Sequence, residues 1–169
     1  MSAGLEGRGN GAYVRLLLQP AFDYVQGETR KSGFASISGR FVPDIVLTVE
    51  AEDRRAFLVL DAKYRSGRSN ILDGMRSAHL YHDALRWHDR CPDRSWILIP
   101  AAGSTSWLHD ARFQALHGVG ALTAAPDTTN SEFSRCVETL VLEFMSLVQG
   151  QRGDAQHSGW NPDVLNAPQ

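Results

Sequence analysis

Lysine is scarce in this chain. Of its 17 basic residues only Lys31 and Lys63 are lysine, so each lysine position asks for a reason. Cysteine is nearly absent as well. Cys91 and Cys136 supply neither a disulfide framework nor a four-ligand metal site, and both read as inert thiols. No apolar run approaches the ~18 residues of a membrane span, so no membrane association is expected. The small, polar N-terminus lacks the pattern of a signal peptide, so a cytoplasmic protein is expected. There is no internal repeat. There is also no Gly-rich loop ending in Gly-Lys-Ser/Thr, so any nucleotide hydrolysis belongs to a partner. Nor is there a basic excess: 17 basic against 19 acidic residues give a charge of −2. That balance excludes a basic nucleic-acid coat protein and a disordered polyelectrolyte.

What is present suits one domain, since 169 residues with 43% hydrophobic content can bury a core. We expect a flexible N-terminus over 1–11, a domain over 12–148 and a flexible tail over 149–169. Ala12 to Leu18 reads as a strand, with Phe22 to Val25 extending or partnering it, and Gln26 to Gly39 as a loop or irregular hairpin. Phe41 to Glu50 is rich in β-branched residues and reads as a strand. Ala51 to Arg55 is a charged turn. Ala56 to Arg65 is the strongest strand, and its unalternating Phe57-Leu58-Val59-Leu60 predicts burial on both faces.

A helix over Ile71 to His88, capped by Asn70, follows from its apolar spacing. Strands are expected at Ser95 to Ile99 and Val119 to Thr123, with a helical turn or two over His109 to His117 between them. An amphipathic helix over Ser131 to Val148 closes the domain. The order β-β-β-α-β-(α)-β-α predicts an α/β fold with a mixed sheet.

One constellation carries chemistry. Pro43-Asp44 precedes one strand, and Asp61-Ala62-Lys63 ends the next. A turn centred near Asp53 makes the two strands an antiparallel hairpin. Asp61 and Lys63, two apart, share a strand face. A register pairing Asp44 with Asp61 or Lys63 puts all three on that face, whereas pairing with Ala62 turns Asp44 away.

Two adjacent carboxylates repel unless a cation sits between them. Mg²⁺ takes oxygen ligands and keeps waters, and the Ala62 carbonyl offers one more oxygen. Such a metal activates water and polarises phosphoryl oxygens, while Lys63 orients the nucleophile or stabilises charge on the phosphate. Mn²⁺ is expected to substitute for Mg²⁺. The plainer reading is a strand-end ion pair with an unrelated Asp44. Pro-Asp itself carries little information, because four of the seven prolines precede an Asp. Two charges ending an otherwise apolar strand are more informative, since burying charge is costly.

Asp44, Asp61 and Lys63 resemble the motif of PD-(D/E)xK nucleases. More narrowly, Phe41 to Leu47, Leu58 to Tyr64 and the helix segment His79 to Leu85 resemble the nuclease domain of McrC-like, modification-dependent restriction components. Ala78 stands where those relatives often carry Met. The resemblance implies a three-layer α/β/α restriction-endonuclease-like core and Mg²⁺-dependent DNA cleavage. It gives Asp44, Asp61 and Ala62 as metal ligands and Lys63 as the catalytic lysine. It also favours His79, Tyr81 and Asp83 as packing behind the site or contacting phosphate. Arg65 and Arg76 are candidate phosphate contacts, with solvated charge the plainer reading.

The superfamily usually adds a Glu from a helix before the first core strand. Here Glu6 is the only acid in that region, in a Gly-rich context. A helix upstream in a longer protein, Glu6 itself and an incomplete site all stay open. The resemblance further suggests a restriction or anti-phage effector, a nucleotide-hydrolysing partner subunit and a homodimer for double-strand cleavage. The alternative is a catalytically silent nucleic-acid-binding or assembly domain.

Overall fold

A strand buried on both faces needs partners on both edges, and the unalternating run at residues 57–60 has them. The structure is a computed structural model. It describes residues 3–9, 11–25, 33–51, 54–64, 66–100 and 103–124, together with Val141, Leu142 and Ser146. In chain order the elements are β1 (Gly4–Gly9), β2 (Ala12–Leu18), β3 (Phe34–Ser36), β4 (Ile45–Ala51), β5 (Arg54–Ala62), α1 (Arg68–Ala84), β6 (Leu85–Trp87) and β7 (Arg94–Ile99). A 3₁₀ segment (Gly103–His109), α2 (Ala111–His117) and β8 (Val119–Thr123) complete them. Six strands form one sheet in the order β1-β2-β4-β5-β7-β8, and β3 pairs with β6.

The sheet is mixed. The pairs β1–β2, β2–β4 and β4–β5 are antiparallel, while β5–β7 and β7–β8 are parallel. The parallel step from β5 to β7 needs a crossover, and α1 provides it. Side chains alternate between the two faces. Leu47, Val49, Leu58, Leu60 and Trp96 pack together on one face. On the other face Ile97, Ile99, Val119 and Ala121 pack under Ile71, Met75 and Ala78 of α1. Next to them Val46, Phe57 and Val59 support a cluster with Phe22, Phe34, Leu85 and Trp87. This is the α/β arrangement expected, consistent with a restriction-endonuclease-like core.

The expected helix over Ser131 to Val148 and the tail over 149–169 lie outside the described residues, apart from Val141, Leu142 and Ser146. Val141 packs on the face opposite α1. Cys136 also lies outside them, while Cys91 is exposed and free. Among the described residues no helix is long and apolar enough to cross a membrane.

Three local expectations are corrected. Within the N-terminus read as loose, Gly4–Gly9 forms β1, because it supplies the backbone partner that the outer edge of β2 otherwise lacks. The helix stops at Ala84 rather than His88. Leu85 and Trp87 alternate as strand residues into the aromatic cluster, and Arg86 donates to the carbonyls of Asp83 and Leu85 at 2.8 and 2.7 Å. The helix starts after Gly67, with no side-chain cap there, and Asn70 inside its first turn donates to Ser66 O at 3.0 Å.

Phe57 is fully buried, with its ring 6.0 Å from Trp87 and 6.4 Å from Phe22. Phe57→Ala is expected to cost about 3–5 kcal/mol of stability, read from urea unfolding midpoints. A loss below about 1 kcal/mol would mean that this cluster does not anchor the sheet.

Candidate active site

The register of β4 against β5 decides which side chains meet. Ile45 pairs with Leu60 at the last rung, so the next residues outward, Asp44 and Asp61, stand opposite each other. On the far side of β4, Leu18 pairs with Ile45, and Gln19 follows it opposite Asp44. Gln19, Asp44 and Asp61 thus form one row across three strands.

Each acid is held. Asp44 Oδ2 accepts from the Ala62 N–H at 2.8 Å, and Asp44 O accepts from the Gln19 N–H at 2.8 Å. Asp61 is buried, 4% exposed. Its Oδ2 is sealed from solvent and makes no hydrogen bond of good geometry. Its contact is the Lys63 ammonium at 2.5 Å. A buried carboxylate without a cation would be costly, so Lys63 makes the position tolerable. The Lys63 N–H bonds Leu98 O at 2.8 Å, which extends the pairing with β7 and fixes the lysine's backbone. Backbone polar groups alternate sides along a strand, so the Ala62 carbonyl lies on the Asp44 side with its N–H.

This donor set fits a hard divalent cation. It offers two facing carboxylates, an Asp61 oxygen with no hydrogen bond and a carbonyl on the same side, with remaining positions left to water. Among the described residues no group of three or more His, Cys, Asp and Glu comes together. Glu6 does not supply a third acid. It pairs with Arg15, four residues along β2 from Gln19, which is roughly 13 Å from the row. There a hydrogen bond with Glu6, more than any other influence, raises the Tyr13 pKa.

Of the supporting residues expected, Tyr81 comes to the acids. It is half-buried with its ring edge-on to Phe41 at 5.9 Å. Burial, then the charges of Asp61 and Asp44, push its pKa up to about 12. It therefore stays a neutral phenol beside two anions. His79, Asp83 and Arg76 are exposed along α1. Arg76 pairs with Asp73 at 3.3 Å, and Asp83 with His82 at 3.2 Å. The His82 ring abuts Gly118, at the start of β8, whereas Asp61 lies toward the opposite end of these parallel strands. Arg65 lies outside the described residues.

Gln19 deserves more weight than its sequence suggests, where Gln19-Pro20 reads as a plain strand exit. Its φ is +48°, in the left-handed region that a non-glycine residue occupies at a cost of about 1–2 kcal/mol. No sequence pattern marks that conformation.

A family model described as the PD-(D/E)XK nuclease superfamily matches residues 3–95, more than half of the chain. The chain belongs to the PD-(D/E)XK nuclease superfamily. The match includes β1 and ends inside β7, so it spans the whole acid row. No curated protein and no solved structure matches the chain. Membership implies phosphodiester hydrolysis on nucleic acid with a divalent metal, the chemistry that this donor set fits.

Two outcomes are expected. Tyr81 has a folded pKa above its ordinary value of 10.0, so the folded state holds that proton more tightly. Its contribution is complete below pH 10 and is lost as pH rises from there toward 12. Urea midpoints measured from pH 9 to 11 should fall less steeply for Tyr81→Phe than for wild type. Equal slopes would remove Tyr81 from the neighbourhood of the acids. Separately, Gln19→Gly should relieve the backbone and raise stability by up to about 1 kcal/mol. A loss of stability on thermal unfolding would count against the strained conformation.

Proposed function

We propose that this chain is a metal-dependent DNA endonuclease, acting inside the cell as a restriction or anti-phage defence effector. The observation that carries the reading is the row placing Asp44 opposite Asp61, with Lys63 on the buried carboxylate. Asp44, Asp61 and the Ala62 carbonyl would hold Mg²⁺, or Mn²⁺ in its place. When bound, the metal supplies Lewis-acid stabilisation of the phosphate and activation of water.

The chain's own residues do the rest. The hydrogen bond from Ala62 N–H fixes the Asp44 carboxylate. Lys63, beside the buried Asp61 carboxylate, would hold the attacking water and stabilise the charge growing on the phosphate. Tyr81, kept neutral, adds no charge behind the acids. The defence setting is supported by the likeness of the Asp44, Asp61-Ala62-Lys63 and His79 to Leu85 segments to McrC-like components. That likeness also suggests a separate nucleotide-hydrolysing partner, and duplex cleavage suggests a dimer.

A second reading has one observation in its favour. Among the described residues no third acid joins the pair, as in a silent nucleic-acid-binding domain that keeps the fold. One experiment separates the two. Wild type and Asp61→Asn are incubated with supercoiled plasmid and with single-stranded circles, in Mg²⁺ or Mn²⁺. The nuclease reading expects cleavage by wild type, abolished by chelator and reduced at least about a hundredfold in the variant. Cleavage undiminished in Asp61→Asn would refute the site. Absence of cleavage together with nucleic-acid binding would establish the silent domain.

A further inference from the structure

An open sheet has two outer edges, and a free edge carries a row of unpaired backbone N–H and C=O groups. The two edges of this sheet differ. β8 is covered by α2, whose buried Gln114 donates through Nε2 to Ala121 O at 3.0 Å and to Leu108 O at 2.9 Å. Gly120 beside it has no room for a Cβ, which would stand 2.6 Å from Gln114 Cγ and 2.8 Å from Leu108 O. β1 has no such cover among the described residues. Residues 3–8 are exposed, and no described strand pairs with the outer side of β1. The strand contains no proline and keeps an unbroken register with β2, so two common blocks to edge pairing are missing.

One hydrogen bond tells which backbone groups of β1 face outward. Leu18 N–H donates to Ala3 O at 2.8 Å. By alternation Leu5 and Gly7 also turn their backbone groups to β2, while Gly4, Glu6 and Arg8 present theirs outward. The side chains of Glu6 and Arg8, two apart, share one sheet face. Tyr13 of β2 holds both, hydrogen-bonded to Glu6 and with Arg8 over its ring at 5.0 Å. Neither group is exhausted by that contact, since a carboxylate accepts several hydrogen bonds and a guanidinium donates five. Glu6-Gly7-Arg8 is therefore a charge pattern complementary to its own reverse, with Gly7 at the centre.

We propose that the outer edge of β1 binds a second copy of this chain, strand against strand, across a two-fold axis at Gly7. A two-fold pair in one sheet sets the same strand antiparallel to itself. With Gly7 opposite its own copy, Glu6 faces Arg8 of the partner subunit and Arg8 faces Glu6 of the partner subunit. The outward backbone groups of these residues then bond one another, and two opposite-charge pairs lie side by side on one face. Registers centred on Glu6 or on Arg8 set like charges against each other, and one centred on Leu5 puts Glu6 opposite Gly4. The axis is normal to the sheet, so the two sheets become one and α1 of both copies lies on the same side. This interface does not rest on the nuclease reading.

The test is sedimentation velocity of the full-length chain from micromolar to submillimolar concentration. Wild type is expected to pass from monomer to dimer over that range. Arg8→Glu and Glu6→Arg each convert both pairs to like charges, so each variant alone should dimerise at least about tenfold more weakly. An equimolar mixture of the two variants restores opposite charges at both pairs and should recover dimer near the wild-type level. A chain carrying both changes should do the same by itself. A local disturbance of β1 or Tyr13 would not be repaired by mixing. Both residues are exposed, and thermal unfolding verifies that each variant keeps the fold. Wild type monomeric throughout, single variants that dimerise as wild type does, or no recovery on mixing overturns the proposal. The assay reads association and no turnover, so loss of the nuclease reading leaves this result standing, and the reverse holds too.

Discussion

The acid pair exists because β4 and β5 meet in one register and no other. Ala51 pairs with Arg54, so the connection between the strands is two residues long, and every rung outward follows from it to Asp44 opposite Asp61. A slip of one residue would turn Asp44 to the other face. Alternation of apolar and polar residues, the usual guard against a slip, is missing here. Val46, Leu47, Val49, Phe57, Leu58 and Val59 are buried whichever face they take. The polar rung at the turn does the guarding: Glu50 opposes Arg55, with an ion pair at 3.1 Å. Glu50 also holds Arg15 from β2 at 3.3 Å, so one carboxylate ties three strands at the end of the sheet away from the acids.

The site then follows from ordinary costs of burial. Asp61 lies in the sheet interior, where an unpaired carboxylate would be expensive, and Lys63 two residues on is its neutralising partner. That need for a neutralising partner explains why one of the chain's only two lysines stands here.

Much of this was legible in the chain. The unalternating residues 57–60 marked β5 as central, and the charges ending that strand marked the site. The register stayed open because both faces of β4 and β5 are apolar, so hydrophobicity could not choose between slips. β1 was missed because glycine-rich Gly4–Gly9 has weak strand propensity of its own and takes its shape from the edge of β2. The early end of α1 was missed because Leu85 fits helical spacing from Ala78 as well as strand alternation with Trp87. At the site, Tyr81 was legible through the family resemblance alone. His79, Asp83 and Arg76, drawn from the same segment or its surroundings, line the exposed helix. The positive φ of Gln19 is a property of three-dimensional context that no local pattern encodes.

The central claim is that Asp44 and Asp61 form one divalent-cation site. Anomalous diffraction from crystals soaked in Mn²⁺ tests it most directly. The account predicts a single strong peak within bonding distance of both carboxylates and of the Ala62 carbonyl, with Lys63 displaced from Asp61. A peak elsewhere, or none at millimolar Mn²⁺ with the Asp61–Lys63 pair still closed, would contradict it.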